Sequence, residues 1–572
     1  MRKLFIAILL ILSVQPVQAD GVVGTGTSAS CKNDDVHAAL AGGGDITFNC
    51  GRGIATISMT SPLIIREDTV IDGAGSIVLS GMNRNQIIIV QSGVRLEVRN
   101  LVFENGLDDT YTPSPRGGAI QNNGGSLVIS NSIFRGNAAI NRDRLNSGSG
   151  GAIYSEGGSV TINDSLFLGN RTLGDGGAIY NVDGYLDIQR SRFILNSARE
   201  RGGAIIHGEY LTSPENITVI DSFFSLNSAR AGGAIITNQG TNNLISNSQF
   251  DSNVAQAWAG GVYAAASDTF EIIHSRFTGN TSFRHGGALV NANGRMTIIG
   301  NSLIRNRAYV DGGGVYSNTY LDVETSTFAY NSAGELGGGL YSYLRADVTL
   351  SILNSTFSAN AAEHGGGLYD KSRNGGIYRT NIAYSTFAYN RGGGIQSQYG
   401  HYVLQGSIIA YSQGDWNCRP APDDRYYSMN FPDASCGGHN VDPYLMPLAD
   451  NGGITLTHAL SIDSPAIDAV SGMPLLLGLG TELDPLRCTT DFDQRNLTRP
   501  VNIIGTDVAL CDMGAYEYGA MPTRFEVVSN PEPESSSDPV SCSNFRPTSP
   551  LDGFPNGVAT FYWDAAPGAT AY

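Results

Sequence analysis

Along residues 101–412 the apolar and polar positions repeat as one unit, apolar-x-apolar-x-x-Ser-x-Phe-x-x-Asn followed by Gly-Gly-Ala/Gly-aliphatic. The Phe position falls at Phe103, Phe134, Phe167, Phe193, Phe224, Phe250, Phe277, Leu303, Phe328, Phe357 and Phe387, at intervals of 25 to 33 residues. Three residues after each of the last ten comes an asparagine: Asn137, Asn170, Asn196, Asn227, Asn253, Asn280, Asn306, Asn331, Asn360 and Asn390. The aliphatic residue that closes the Gly motif usually follows the Phe position by 12, as at Ile179, Ile205, Val262, Leu289, Val315 and Leu340. Brief alternation broken by glycines predicts short strands, and helical spacing is nowhere sustained. A unit of short strands cannot bury its own apolar face, so neighbours must stack, each repeat forming one coil of a parallel β-helix. At a strand spacing of about 4.8 Å, the steps from Phe103 to Phe387 span about 48 Å.

Stacking turns the repeat into columns. The Phe column is expected to fill the interior, and the Asn column to sit at a turn as a structural ladder, each amide bonding the coils above and below. The residue before the Gly motif gives the column Arg116, Ser149, Asp175, Arg201, Ala231, Trp258, His285, Asp311, Leu336, His364 and Arg391. His285 and Asp311 fall on neighbouring coils, with Arg284, Glu335 and Glu363 close in sequence. Together with His364 they are the candidates for acid/base chemistry. The favoured alternative is a solvated turn whose opposite charges weakly offset one another. The position after the inward aliphatic carries Tyr154, Tyr180, Tyr263, Tyr316, Tyr341 and Tyr369, interrupted by other residues. Strand alternation predicts that this column points outward. It is then a candidate aromatic stripe for sugar or protein contact, or a cross-strand ladder that steadies the sheet.

Composition narrows the classes of function. Among 572 residues, 52 Asp+Glu outnumber 35 Lys+Arg for a net charge of -17, charged residues are 15% and there are 72 Gly. Low charge with 41% apolar residues argues against disorder and coiled coil. The acidic balance disfavours nucleic acid as a partner. Arg2 and Lys3 before the apolar run Leu4–Leu12, with Val17-Gln18-Ala19 at a cleavage site, predict a secretory signal peptide over 1–19. No stretch approaches the roughly 20 apolar residues of a spanning helix. Six of the seven cysteines lie as near pairs, Cys31/Cys50, Cys418/Cys436 and Cys488/Cys511, which predicts local disulfides in an oxidising compartment. Zinc spacing is absent, so no metal site and no cofactor is expected. Whether the acidic surface takes up Ca²⁺ stays open.

The FxxN and GGAI/GGGLY repeats resemble the polymorphic outer membrane protein repeat, and the coil pattern resembles the pectin-lyase-like superfamily of right-handed β-helices. The second resemblance is the source of the expected hand. Residues 20–100 contain Cys31, Ala38-Ala39-Leu40, Ile46-Thr47-Phe48-Asn49-Cys50-Gly51 and Ile71-Asp72-Gly73-Ala74-Gly75, similar to the opening of secreted bacterial β-helix proteins with a CSLREA-type motif. They are expected to cap the exposed edge of the first coil. In 413–518 the blocks Asp450-Asn451-Gly452-Gly453, Ser464-Pro465-Ala466-Ile467-Asp468, Asp493-Gln494-Arg495 with Arg499-Pro500, and Asp512-Met513-Gly514-Ala515-Tyr516-Glu517 resemble the choice-of-anchor Q domain of bacterial surface proteins. A Pro/Ser-rich linker over 519–541 leads to 542–572, which resembles the start of an immunoglobulin- or fibronectin-like β-sandwich module. With Cys542 unpaired, a longer parent protein is expected.

The sequence therefore predicts an all-β protein: a right-handed parallel β-helix with caps at both ends and a truncated stub. It is expected to be secreted or displayed at a bacterial cell surface. The expected role is non-enzymatic adhesion or glycan contact, with a polysaccharide, or a glycan or protein of a host or neighbouring cell, as partner. The competing expectation is a polysaccharide lyase or glycoside hydrolase. An inverting hydrolase would need two carboxylates roughly 6.5 to 9.5 Å apart.

Overall fold

The coil at 302–324 shows how one repeat becomes structure. In the computed structural model it forms four short strands, Ser302–Ile304, Arg307–Ala308, Val315–Ser317 and Leu321–Glu324. Alternation turns Leu303, Ala308, Val315, Leu321 and Val323 inward, where all are buried. Each strand pairs in parallel with its equivalents on both sides, Leu303 with Phe277 and Phe328, Val315 with Leu289 and Leu340. Repetition of this unit gives a nearly all-β parallel solenoid of about 14 turns. The structure describes residues 21–520 except 111–113, 142–147, 209–215, 239, 266–268, 345–347, 373–378, 399–400, 415, 471–487, 489 and 502–508. The expected signal peptide, most of the linker, the 542–572 module and Cys542 lie outside the described residues.

Three columns hold the coils in register. Phe rings stack in parallel from Phe103 to Phe277, with successive centroids 4.7 or 4.8 Å apart. Leu303 interrupts the column, which resumes at Phe328, Phe357 and Phe387. The asparagines form the expected ladder. Asn253 Nδ2 donates to Asn280 Oδ1 at 3.0 Å and to the Phe224 carbonyl at 2.9 Å, while its own Oδ1 accepts from the Asn227 backbone and side-chain N–H groups. A serine column runs beside it, as where Ser191 N donates to Ser222 Oγ at 3.1 Å and Ser222 N to Ser248 Oγ at 3.1 Å. These buried side chains satisfy the backbone where the chain turns and sheet pairing lapses.

Removing one asparagine rung therefore strands its neighbours. Asn253→Ala leaves both Asn227 donors without their shared acceptor, and each loss of this kind costs about 1 to 3 kcal/mol. The variant should unfold at lower urea than the parent, whereas an exposed-site control such as Gln256→Ala should not move.

The Gly-Gly motif has a separate cause at each position. Gly312 has φ +69°, a left-handed conformation that side chains resist. Gly313 follows where a Cβ would overlap the Gly338 carbonyl oxygen of the next coil. The pair thus permits both the turn and the close approach of stacked backbones.

The ends are closed differently. At the start, Gly21–Val23 pairs with Gly44–Phe48, and the helix Asn33–Ala39 places Val36 in the central core. Cys31 and Cys50 are bonded beside it, with Cα atoms 5.7 Å apart. At the other end, coil pairing continues beyond residue 412. Cys418–Arg419, Asp424–Tyr426 and Met429–Phe431 stack on Ile395–Gln398, His401–Gln405 and Ile408–Ala410. These strands lack the Phe/Asn pattern, but the serine column continues onto them, with Ser407 N donating to Ser428 Oγ at 3.3 Å, and Cys418 and Met429 are buried. The Cys418–Cys436 disulfide ties it off.

The chain then folds back along the solenoid's flank. Leu445–Ala449 and Thr457–Leu460 form an antiparallel pair, and Leu460, Ala466, Val470, Cys511 and Met513 pack against Ala383, Tyr384, Ile408 and Met429. Cys488 and Cys511 are bonded within this segment.

Candidate functional site

The residue before each Gly motif does form a column. Backbone bridges join Arg201, Ala231, Trp258 and His285 in succession, and Asp311, Leu336 and His364 likewise. The turn projects these side chains beside the strand that follows the glycines. His285 Nδ1 lies 3.2 Å from Asp311 Oδ2, with both side chains 12% exposed. His285 Nδ1 has no aligned hydrogen-bond partner, so the two groups approach closely without forming a hydrogen bond. The imidazole is held between the Trp258 ring, 4.6 Å away, and Tyr316, 4.9 Å away. An imidazole beside a carboxylate has the elements of an acid/base pair.

His364 is not brought to this pair. Leu336 occupies the intervening coil, and the nearest acid to His364 is the exposed Glu363, at 4.0 Å. Glu335 is also exposed at its turn. On a neighbouring stretch of the column, Arg201 makes a two-pronged ion pair with Asp175 at 3.0 and 2.7 Å. That is the charge offset expected of a polar turn.

The tyrosine column departs from its expected exposure. Tyr154, Tyr180, Tyr341 and Tyr369 are each 5% exposed and Tyr316 is 9% exposed; only Tyr263 is half-buried. The side chains leave the central core as alternation requires. The Gly turn, however, folds Ala231, Trp258 and Leu336 over them, creating two further apolar clusters outside the main one. Rings stack as Tyr154 on Tyr180 at 5.3 Å and Tyr316 on Tyr341 at 4.8 Å, with Tyr369 5.9 Å beyond. Tyr263 stands between Ile236 and Val290, which breaks the stripe. Burial, then the neighbouring Tyr316, pushes the Tyr341 hydroxyl above its ordinary range. Of the two arrangements the pattern allows, these buried and stacked rings have that of the cross-strand aromatic ladder. Alternation along one strand reports which side of the sheet a residue leaves, and says nothing of what the next turn lays over it.

All six paired cysteines are joined as expected. Among the described residues, no group of three His, Cys, Asp or Glu side chains is arranged to hold a metal ion.

Residues of the blocks at 450–517 make a dense buried polar contact with the solenoid. Gln494 Oε1 accepts from Thr356 Oγ1 at 2.6 Å, and its Nε2 donates to Thr327 and Thr455 at 2.9 Å. Arg495 pairs with Asp493 at 2.6 Å and Arg499 with Glu517 at 2.9 Å, both nearly or wholly buried. Burial, then the nearby Glu517, raises the Asp512 carboxyl, and burial raises that of Glu517 against the pull of Arg499. The Ala515 N–H donates to Thr386 Oγ1 at 3.0 Å. The signal was present in the repeats. The position before Phe is variable at Arg192, Phe223, Gln249 and Arg276, then becomes Thr at Thr327, Thr356 and Thr386, the coils that receive this segment.

Inside the solenoid, Asp370 is 1% exposed, accepts from Thr380 Oγ1 at 2.9 Å, and is pushed up to about 6 by desolvation. A carboxyl raised in the folded state stabilises fully below the unfolded value near pH 4, and that contribution is lost as pH rises through about 6. Carrying a carboxyl from near 4 to about 6 on folding is worth about 3 kcal/mol between its two protonation states. Asp370→Asn should therefore match the parent near pH 4 and be the more stable of the two at pH 7.5 in paired thermal melts. A constant difference across that range would remove the titration of Asp370 as the cause.

The model of the Chlamydia polymorphic membrane protein repeat matches residues 131–156 and 164–182. Those segments carry the Ser, Phe, Asn and Gly-Gly positions of two adjacent coils. No curated protein and no solved structure matches the chain.

Proposed function

We propose that this chain is an exported bacterial surface protein whose solenoid displays a lateral face for non-enzymatic recognition of a cell-surface or extracellular partner. The observation that carries this reading is the repeat of a surface-protein family set in an uninterrupted stack of coils. Its neutral Ser, Asn and Phe columns are committed to holding the stack, which frees the outward positions to vary from coil to coil. On this reading the hand is that of the pectin-lyase-like superfamily. The segment at 413–518 corresponds to a choice-of-anchor Q module, which clasps the last coils near the attachment point. Antibody labelling of intact cells, with and without external protease, tests display. Binding of the purified chain to cells tests recognition. Label that appears only after permeabilisation sinks the proposal.

The His285–Asp311 pair favours a second reading, cleavage of an acidic polysaccharide. A depolymerisation screen decides it. Should an active substrate emerge, His285→Ala and Asp311→Ala should each abolish cleavage, and unchanged turnover would remove both as catalytic residues.

A further inference from the structure

We infer that the groove lined by Asp175, Glu200, Arg201, Arg230, Trp258 and Arg284 binds a singly charged, carboxylated sugar of an acidic glycan. This inference rests on the reading of the chain as a surface recognition protein and names the chemistry of its ligand.

The groove has a volume of about 390 Å³, within the range of small-ligand sites. It lies where the short strands Ser197–Ala198, Ser228–Ala231, Val254–Trp258 and Thr281–Ser282 pass into the Gly turns. Charge is distributed unusually here. Over 171–175, 197–201, 228–231, 254–258, 281–285 and 307–311 there are six arginines and three carboxylates, in a chain whose acids exceed its bases by 17. An arginine cluster against the overall charge attracts anions locally.

The partners of the three groove arginines differ. Arg201 is fixed by its two-pronged contact with Asp175. Arg230 reaches Glu200 through one contact of 3.2 Å, with its side chain 66% exposed, a pairing of little strength in water. Arg284 has no carboxylate partner among the described residues. It is exposed, and its guanidinium lies 6.0 Å from the Trp258 ring. Three guanidinium groups and two carboxylates leave one positive charge for a ligand to meet. That remaining charge matches a monoanion, whereas a polysulfated or polyphosphorylated ligand would bring excess negative charge against Asp175 and Glu200.

The other groups suit a sugar. A guanidinium fork fits the two oxygens of a carboxylate. Asp175 and Glu200 can accept hydrogen bonds from ring hydroxyls. Trp258 is half-buried, braced by His285 on one face and by Tyr316 at 5.8 Å, so it offers a fixed ring edge to the apolar side of a pyranose. Phe283 and Tyr309, 50% and 44% exposed and stacked at 5.1 Å, extend the aromatic surface along the same sheet toward later coils. A chain of several sugars could follow them.

The test uses the full chain and calorimetric titration with sialyllactose, a uronate oligosaccharide, the neutral parent of each and a heparin fragment. One carboxylated sugar should bind, its neutral parent at least tenfold more weakly, and affinity should fall with salt. Arg284→Ala and Arg230→Ala should each weaken binding about tenfold, and Arg295→Ala, outside the groove, should leave it unchanged. Equal binding of neutral and carboxylated forms, unchanged affinity in Arg284→Ala, strongest binding of heparin, or no binding of either carboxylated sugar overturns the inference. Cell binding by Arg284→Ala at the parent's level would sink the groove while leaving surface recognition intact. Sugar binding by a chain that never reaches the cell surface would sink the display reading instead.

Discussion

Phe224→Ala is expected to lower stability by about 3 to 5 kcal/mol, the cost of removing a fully buried aromatic ring and leaving a cavity behind. Phe224 is 0% exposed, with the Phe193 and Phe250 rings each 4.8 Å away, so the loss removes two stacked contacts as well as the transfer of one ring from water. The coils cannot close over the gap, because their spacing is set by backbone pairing and by the asparagine ladder on either side. Each coil touches only its neighbours, so the damage should be local. Amide exchange should accelerate in strands around 193–250 and remain slow near Phe357. Phe224→Leu should cost much less, since Leu303 already fills one rung of the same column. Uniform acceleration along the whole solenoid would contradict the neighbour-limited picture.

Arg499→Ala should release the C-terminal segment from the flank of the solenoid. Arg499 and Glu517 are both wholly buried, and breaking such a pair from one side costs about 3 to 5 kcal/mol because a buried charge is left unmatched. Arg499 also donates to Asn354 Oδ1 on the solenoid at 3.3 Å and lies over the Tyr384 ring at 4.7 Å, so several docking contacts go with it. Limited proteolysis should cut within 440–520 and leave the coils intact. Glu517 and Asp512 already sit above their ordinary values through burial. Without the guanidinium, Glu517 rises further above its unfolded value. The deficit should then grow as pH rises through the raised folded values and shrink in acid, where both carboxyls are neutral in either state. Protease resistance equal to the parent's at pH 7.5 would show that docking does not depend on this pair.

The stack itself was legible because each coil repeats one set of constraints. An inward Phe or aliphatic, a turn asparagine and a glycine pair recur, and errors at one rung, such as Leu303, are outvoted by the rest. The disulfides were legible because each pair is close in sequence. The His285–Asp311 pairing was legible as well, since neighbouring coils place equal positions in contact. His364 was not excluded by that logic, and only the Leu336 coil between them separates it from Asp311.

Outward-facing columns were a different matter. That the tyrosines leave the central core follows from alternation; that they end in a second buried seam depends on where the Gly turn lays Trp258 and Leu336. The groove of Arg201, Arg230 and Arg284 shows the same dependence. Asp175, Arg201 and Trp258 share the column before the Gly motif and Glu200, Arg230 and Arg284 the position one earlier, so the sequence aligns them, whereas their convergence into one groove depends on how the turns fold.

By itself, then, the sequence determined the coil, its inward columns and the register of the stack, because those rest on short-period patterns repeated many times. Tertiary structure alone decided what covers the outward positions. It set the docking of Gln494 and Ala515 onto Thr327, Thr356 and Thr386, the burial of the tyrosines and the convergence of the groove. Each of those depends on contacts made once, between residues far apart in the chain or offset between coils, and a contact made once leaves no period to read.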